Sequence, residues 1–476
     1  MLYINGEWKK SNSGETIDIF NPATGELISS VASGGKTETE EAIYAAEGAF
    51  KKWRKVPGPK RGKYLKKVAS IMKSKVNEIA ETITMEMGKP LADAKGEVLG
   101  AIAYVEWYGE EASRVYGDIL PASHPDKQLT VHRQPVGVTA AITPWNFPAS
   151  MITRKIAPAI AAGCTVVLKP APSTPLSAIK VFECFHEAEL PAGVVNLVIG
   201  PAEEIGDVMT ESPVVRKLTF TGSTAVGKLL LKKSAATVKK VSMELGGHAP
   251  FLVFEDADID TAVTGVLLTK FKNAGQTCIS TNRIYVHESI AESFGQKLSE
   301  KVSELRVGNG MEKGTDVGPL ITPEAVNKVE SHVKDAVANE GKILCGGNRT
   351  GEKGNFFEPT VINFANEKMK ISKEETFGPV APIFTFTDEE EVINLANHDS
   401  YGLAAYCFTN DLGRSNRLIQ DLEYGIVGVN DPAPIVPQAP FGGVKESGMG
   451  KEGGRSGILE YLEEKFVSVA SLKREE

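Results

Sequence analysis

A chain of 476 residues is too long for one ordinary hydrophobic core, so two or three domains are expected. With 42% hydrophobic and 24% charged residues, a formal net charge of −8 and a pI near 5.6, it reads as globular, and neither nucleic acid nor an anionic membrane is expected as its main partner. No apolar run reaches the roughly 18 residues that span a bilayer, and the start MLYINGEWKKSNSG lacks the pattern of a signal peptide, so the cytoplasm is the expected compartment.

In chain order, residues 37–82 and 91–116 carry apolar positions at helical spacing among many Lys and Glu. QLTVHRQP (128–135) then alternates like an exposed strand. Short apolar runs follow at 136–143, 164–170, 194–200 and 217–222, separated by helix-like segments at 151–162, 175–188, 202–210 and 225–235. That is the spacing of βαβ units with buried parallel strands. A second α/β series starts at HAPFLVFEDADID (248–260) and continues with RIYVHE (283–288) and an amphipathic helix at 289–305. Further runs lie at 342–347, 360–365, 381–388, 403–410 and 425–431, so we place a boundary near residue 246, beside a Gly-Gly pair. EEKFVSVASL (463–472) alternates like 128–135, and two such strands without a partner in their own series suggest pairing between subunits; the alternative is a meander on one chain's surface.

Five widely spaced cysteines with no CxxC exclude a disulfide scaffold or zinc knuckle, and seven scattered histidines support no metal site. Cys278, in FKNAGQTCIS (271–280), is the one cysteine in a Gly- and polar-rich turn ahead of a strand, where backbone dipoles favour thiolate; the other reading is a small buried hydrophobe. Glu244, in VSMELGGHAP (241–250), ends an apolar strand, where α/β sites are built, and a carboxyl in an apolar pocket suits proton abstraction near neutral pH; an ordinary surface Glu is the alternative. In FTGSTAVGK (220–228), Gly222 and Ser223 open a helix as phosphate-binding turns do, without the GxGxxG fingerprint. Lys169 offers a cation at another strand end.

Seven motifs occur in a fixed order: PWNFP (144–148), KPAPSTP (169–175), FTGSTAVG (220–227), ELGGHAP (244–250), GQTC (275–278), EETFGPV (374–380) and PFGGVKESG (440–448). Together the chain resembles the aldehyde dehydrogenase superfamily from NGEW near residue 5 to the final strand. MITRKIAPA (151–159), FKNAGQTC and STNRIYV (280–286) are most similar to succinate-semialdehyde dehydrogenases. The resemblance implies NAD(P)-dependent oxidation of an aldehyde to a carboxylic acid. It also implies a Rossmann-like cofactor domain (1–118 and 136–246), a second α/β catalytic domain (247–446) and a small β-strand arm for oligomerisation (119–135 and 447–476), in a homodimer or homotetramer.

Carried over by position, the resemblance makes Cys278 the nucleophile, Asn146 an oxyanion donor and Glu244 the base for the deacylating water. For the cofactor it implies Lys169 and Ser173 near the adenosine ribose, Gly222 and Ser223 at the pyrophosphate, Glu375 on the nicotinamide ribose, and Phe377 and Trp145 along the cleft. NAD-preferring members carry Glu where this chain has Pro172, so a 2′-phosphate is not repelled; no Arg replaces it, and the expectation tips to NAD. Arg154 is expected to bind the distal carboxylate of an ω-carboxy-aldehyde such as succinate semialdehyde, helped by Lys272 where relatives carry Arg. Ile435 stands where relatives have Ser, and Ser280 replaces a second cysteine. The rival substrate is a neutral aliphatic or aromatic aldehyde facing a Pro-rich wall at 432–437. CoA as acyl acceptor and a catalytically silent structural relative are further alternatives. Glu244 argues for water, and the full set Cys278, Glu244 and Asn146 argues for catalysis.

Overall fold

The computed structural model describes residues 1–470; positions 471–476, the end of the expected strand 463–472 and of the segment 447–476, lie outside the described residues. The apolar runs build two largely parallel sheets. In the first, Val195–Leu197, Thr165–Lys169, Val138–Ile142, Val215–Thr221 and Lys240–Glu244 lie side by side in parallel. Leu2–Ile4 with Glu7–Lys9 covers one edge and Gly448–Met449 the other, both antiparallel. Chain order reverses between Val138–Ile142 and Val215–Thr221, which is the switch point where open α/β sheets bind ligands beyond their strand ends.

The second sheet runs Lys342–Cys345, Thr360–Asn363, Val380–Phe386, Thr281–His287, Ala249–Val253, Ala404–Phe408, Ile426–Val429, with only the first pair antiparallel. The main apolar core on the first sheet reaches Leu245, and that of the second starts at Ala249. The stretch between, Gly246–Gly247–His248, is where the chain crosses from one to the other.

The helical stretch expected at 37–82 is three helices, Lys36–Trp53, Gly58–Ser74 and Val76–Met87, because Pro57 has no N–H to continue the first. The stretch at 91–116 is one helix, Leu91–Glu111. The two orphan strands pair with each other: Lys127–Pro135 runs antiparallel to Leu462–Ala470 from Pro135↔Leu462 to Lys127↔Ala470, with Asp118–Leu120 on the far side. The two strands that have no partner in either α/β series thus find one in each other. The partner is remote in sequence but satisfies the ladder, leaving only the outer edges of the three-stranded sheet free. Within 447–461, Gly448–Met449 belongs to the first sheet, and the helix Gly454–Leu459 packs on Ser150–Ala162. Among the described residues no helix is long and apolar enough to cross a membrane.

Candidate active site

Cys278 is positioned by a backbone turn that few sequences tolerate. After the π-turn Leu267–Phe271, residues Asn273, Ala274 and Gly275 take φ of +54°, +53° and +73°. Two non-glycine residues in the left-handed region cost energy that the surroundings must over-determine. They do: Asn273 Nδ2 donates to the carbonyls of Asn146 and Gln276, both at 3.2 Å. Gln276 Nε2 donates to Asn273 O at 3.2 Å and Pro319 O at 3.3 Å, and Gln276 Oε1 accepts from Ile321 N at 2.9 Å. A Cβ on Gly275 would lie 2.2 Å from Gly378 O, so only glycine fits.

Asn146 follows the central strand Val138–Ile142 and is brought to this turn: its Nδ2 donates to Gln276 O at 3.0 Å, while its Oδ1 has no partner. An amide carries two N–H groups, so one bond locks the side chain and one N–H is left. The buried Lys89 secures the Asn146 main chain, donating to Asn146 O at 2.8 Å and to Glu97 Oε2 at 2.6 Å. Glu97 in turn accepts from Ala149 N and Ser150 N at 2.9 and 3.2 Å.

Glu244 ends the strand Lys240–Glu244, is 3% exposed, and neither carboxylate oxygen has a hydrogen bond. Burial and the neighbouring Glu452 carboxylate hold its pKa well above the usual carboxylate range, against the opposing charges of Lys155, Arg154 and Lys451. Desolvation, with Glu375 and Glu244 adding and Arg154 opposing, pushes the Cys278 thiol up to about 12. Burial thus favours the uncharged form of both groups. Glu452 ion-pairs with the buried Lys155 and lies 3.9 Å from Arg154.

The cofactor candidates gather at the switch point. Gly222 follows Val215–Thr221 and donates to Glu244 O at 3.0 Å; Ser223 caps the helix Thr224–Ser234, accepting from Val226 N at 3.4 Å. Lys169, 2% exposed at the end of Thr165–Lys169, donates only to Pro170 O at 3.0 Å, and burial brings its amine down to about 8. Ser173 lies in the turn before Pro175–Glu187, beside the exposed Pro172. Glu375 accepts from Gly247 N at 3.3 Å, and burial pushes its carboxyl up to about 7. Trp145 meets Phe377 edge-on, with centroids 5.6 Å apart and planes at 85°. Thr143 and Thr221, at the ends of the two strands flanking the switch point, have buried hydroxyls without partners. An underused ammonium, orphaned hydroxyls, a helix N-terminus and a carboxylate fit the phosphates and ribose hydroxyls of a dinucleotide.

On the other side of Cys278 is a cavity of about 390 Å³. Arg154, on the helix Ser150–Ala162 and 4% exposed, lies between the rings of Tyr104 and Phe441, 4.8 and 4.2 Å from their centroids. Its Nε and Nη1 have no hydrogen-bond partner. Lys272 lines the cavity half-exposed, 3.7 Å from Asp93. Ile435 forms part of the apolar wall, and Ser280 is buried behind the nucleophile turn. Cys278 and Arg154 thus line one cavity, Asn146 is tied to the Cys278 turn through the Gln276 carbonyl, and Glu244 and Glu375 lie close enough for their charges to act on Cys278. The sequence reading missed Lys89, Glu97, Lys155 and Glu452. Only Lys155 carries a signal, a charge inside the otherwise apolar RKIAPAIAA (154–162).

The model of the aldehyde dehydrogenase family matches residues 8–467. The chain is 51% identical over 472 residues to a 3-sulfolactaldehyde dehydrogenase of Pseudomonas putida, covering 99% of this chain and 97% of the relative. It is 50% identical to an NADP-named succinate-semialdehyde dehydrogenase of Escherichia coli, covering 98% and 97%. The crystal structure of a succinate-semialdehyde dehydrogenase from Burkholderia pseudomallei superposes with a TM-score of 0.98 at 48% identity, covering 99% of this chain and 98% of that one.

Proposed function

The chain belongs to the aldehyde dehydrogenase family, and from that premise we propose that it oxidises an aldehyde bearing a second, anionic group at its far end, succinate semialdehyde or a close ω-carboxy analogue, to the carboxylic acid. One observation carries the substrate class: a buried guanidinium, Arg154, with no hydrogen bond at Nε or Nη1 and only a 3.9 Å ion-pair contact from Nη1 to Glu452, lines the same cavity as Cys278. A buried donor without a partner costs about 1–3 kcal/mol, and an anionic group removes that cost. Succinate semialdehyde and 3-sulfolactaldehyde, for which the two relatives are named, both carry such a group.

In this reading Cys278 Sγ adds to the aldehyde carbon, and the free N–H of Asn146 with the Cys278 N–H receives the oxyanion. When bound, the nicotinamide supplies the hydride acceptor. Glu375 on the ribose, Phe377 and Trp145 orient that ring, while Lys169, Ser173, Gly222 and Ser223 hold the rest of the dinucleotide. Glu244 then takes a proton from the water that cleaves the Cys278 thioester. Its raised pKa makes it a strong base once ionised, and Lys155, Arg154 and Lys451 make ionisation accessible. Lys272, already beside Asp93, contributes less to the anion than Arg154 does.

Pro172 places no carboxylate against a 2′-phosphate. We therefore propose that NADP is used as well as NAD, broadening the expectation of NAD. The five unpaired cysteines fit the cytoplasm. We divide the molecule at residue 246 into a cofactor-binding part (1–118 and 136–246) and a catalytic part from 247, with 119–135 and 462–470 as an arm joining subunits into a dimer or tetramer. The decisive measurement is a steady-state panel of succinate semialdehyde, glutarate semialdehyde, propanal and benzaldehyde with each dinucleotide. The ω-carboxy-aldehydes are expected to lead in kcat/KM, and Arg154→Met to cut their kcat/KM by about 10- to 150-fold while sparing propanal. Benzaldehyde leading the panel would overturn the reading.

A further inference from the structure

One buried imidazole lies next to the site with no part in the chemistry above. His248 is 1% exposed at the head of the strand Ala249–Val253, directly after Gly246–Gly247. Its Nδ1 is 2.8 Å from Asp399 Oδ2, and its Nε2 is 3.2 Å from the carbonyl of Ile371. Both neighbours are acceptors, and the shorter contact, to a carboxylate, takes the single proton of a neutral ring at Nδ1, so Nε2 makes no hydrogen bond to the Ile371 carbonyl. Arg283, on the neighbouring strand Thr281–His287, donates through Nε and Nη2 to His248 O at 3.1 and 3.0 Å and stands 3.4 Å from the same Asp399 oxygen. Asp399 Oδ1 accepts from Tyr401 N at 3.1 Å.

These ties converge on Glu375 from two sides. Gly247, preceding His248, is the residue whose N–H reaches Glu375 Oε1. Tyr401, fixed by Asp399, borders Gly246, where an added Cβ would meet its ring at 3.2 Å and Glu375 Oε2 at 3.1 Å. Gly247 is also pressed on the nucleophile turn, since a Cβ there would lie 2.3 Å from Cys278 O. The Gly-Gly crossing has no side chains of its own. Ser447 Oγ donates to Gly246 O at 2.7 Å and Gly246 N donates to Thr224 Oγ1 at 3.3 Å, which holds its first residue, and His248 is the first side chain after its second.

We propose that His248, through Asp399, is a positioning residue for Glu375: it fixes the Gly247 end of the crossing and the Tyr401 segment so that the carboxylate is presented to the nicotinamide ribose. This rests on the reading of Glu375 as a ribose ligand. A brace that served only stability would lower the melting temperature and leave both Michaelis constants alone.

The test is steady-state kinetics and thermal melting on the full chain for His248→Asn, Asp399→Asn, Glu375→Gln and each of the first two combined with the third. His248→Asn and Asp399→Asn are each expected to raise KM for the dinucleotide about tenfold, the worth of a charge-assisted hydrogen bond, with KM for the aldehyde within about twofold. In the Glu375→Gln background either is expected to add less than about twofold, because residues acting through one contact are not additive. Full multiplication of the two effects, or a lowered melting temperature with unchanged dinucleotide KM, overturns the proposal. Glu375→Gln alone leaving dinucleotide KM unchanged overturns the ribose reading itself and the inference with it. Asp399→Asn, which keeps the side chain's size, decides the matter should His248→Asn fail to fold.

Discussion

At the scale of single residues, the preference of Cys278 and Glu244 for their uncharged forms sets the pH behaviour of the site. Cys278 and Glu244 both work in their deprotonated forms, and both pKa values are raised. Activity is therefore expected to climb with pH across the neutral and mildly alkaline range, measured as kcat/KM from pH 6 to 9; a flat profile would contradict the assignment. Stability runs the other way. A carboxyl whose folded pKa exceeds its unfolded value binds more protons when folded, so its contribution is full at low pH and is lost as pH rises through the folded pKa. Glu86, pushed up to about 8 by burial, acts in the same sense as Glu244. Glu244→Gln is thus expected to flatten the alkaline fall in melting temperature and to stop turnover after one burst of reduced dinucleotide per site, the thioester standing unhydrolysed. Asn146→Ala, removing one oxyanion donor, is expected to cost about 2.7–4 kcal/mol in the barrier, read from kcat. Cys278, Glu244 and Asn146 could be proposed from sequence because GQTC, ELGGHAP and PWNFP stand in one fixed order along the chain, whereas local context left Cys278 and Glu244 open and did not mark Asn146. Lys155 and Glu452 could not, because they meet across 297 residues and no window of sequence contains both.

At the scale of elements, the buried parallel strands were readable as apolar runs, and their observed limits fall close to the expected ones, as at Thr165–Lys169 and Ala404–Phe408. What escaped notice was weakly patterned: Leu2–Ile4 has three residues, and the helix Leu412–Asp421 buries only Leu418. The nucleophile turn escaped for another reason. Asn273 tolerates a left-handed backbone but Ala274 does not favour one by itself, and packing imposes it on the pair. Gly275 is where that turn is most exposed to damage. Gly275→Ala puts a methyl group against Gly378 O at a φ of +73° and is expected to slow alkylation of Cys278 by iodoacetamide and lower the melting temperature. Unchanged alkylation would show that the thiol does not depend on the turn.

At the scale of the whole molecule, two sheets with separate cores meet at Gly246–Gly247, and a three-stranded arm is rooted in the first core through Leu462. The arm leaves Ile119 on one outer strand and Phe466 and Val469 on the other exposed by 80%, 60% and 55%, apolar side chains suited to a second copy of the chain. Ile119→Asp with Phe466→Asp is expected to lower the sedimentation coefficient to that of a smaller species without unfolding either sheet. A variant sedimenting like the parent would place the subunit contact elsewhere.

The pairing of remote ends also sets an order of events during synthesis. Lys155 emerges from the ribosome early, Glu452 follows 297 residues later, and at about 5–20 residues per second the interval is about 15–60 s. For that interval the buried-to-be ammonium has no counter-charge, and Lys127–Pro135 has no Leu462–Ala470 beside it. The first sheet and its strand ends therefore cannot reach their final form before residues 452–470 have been made.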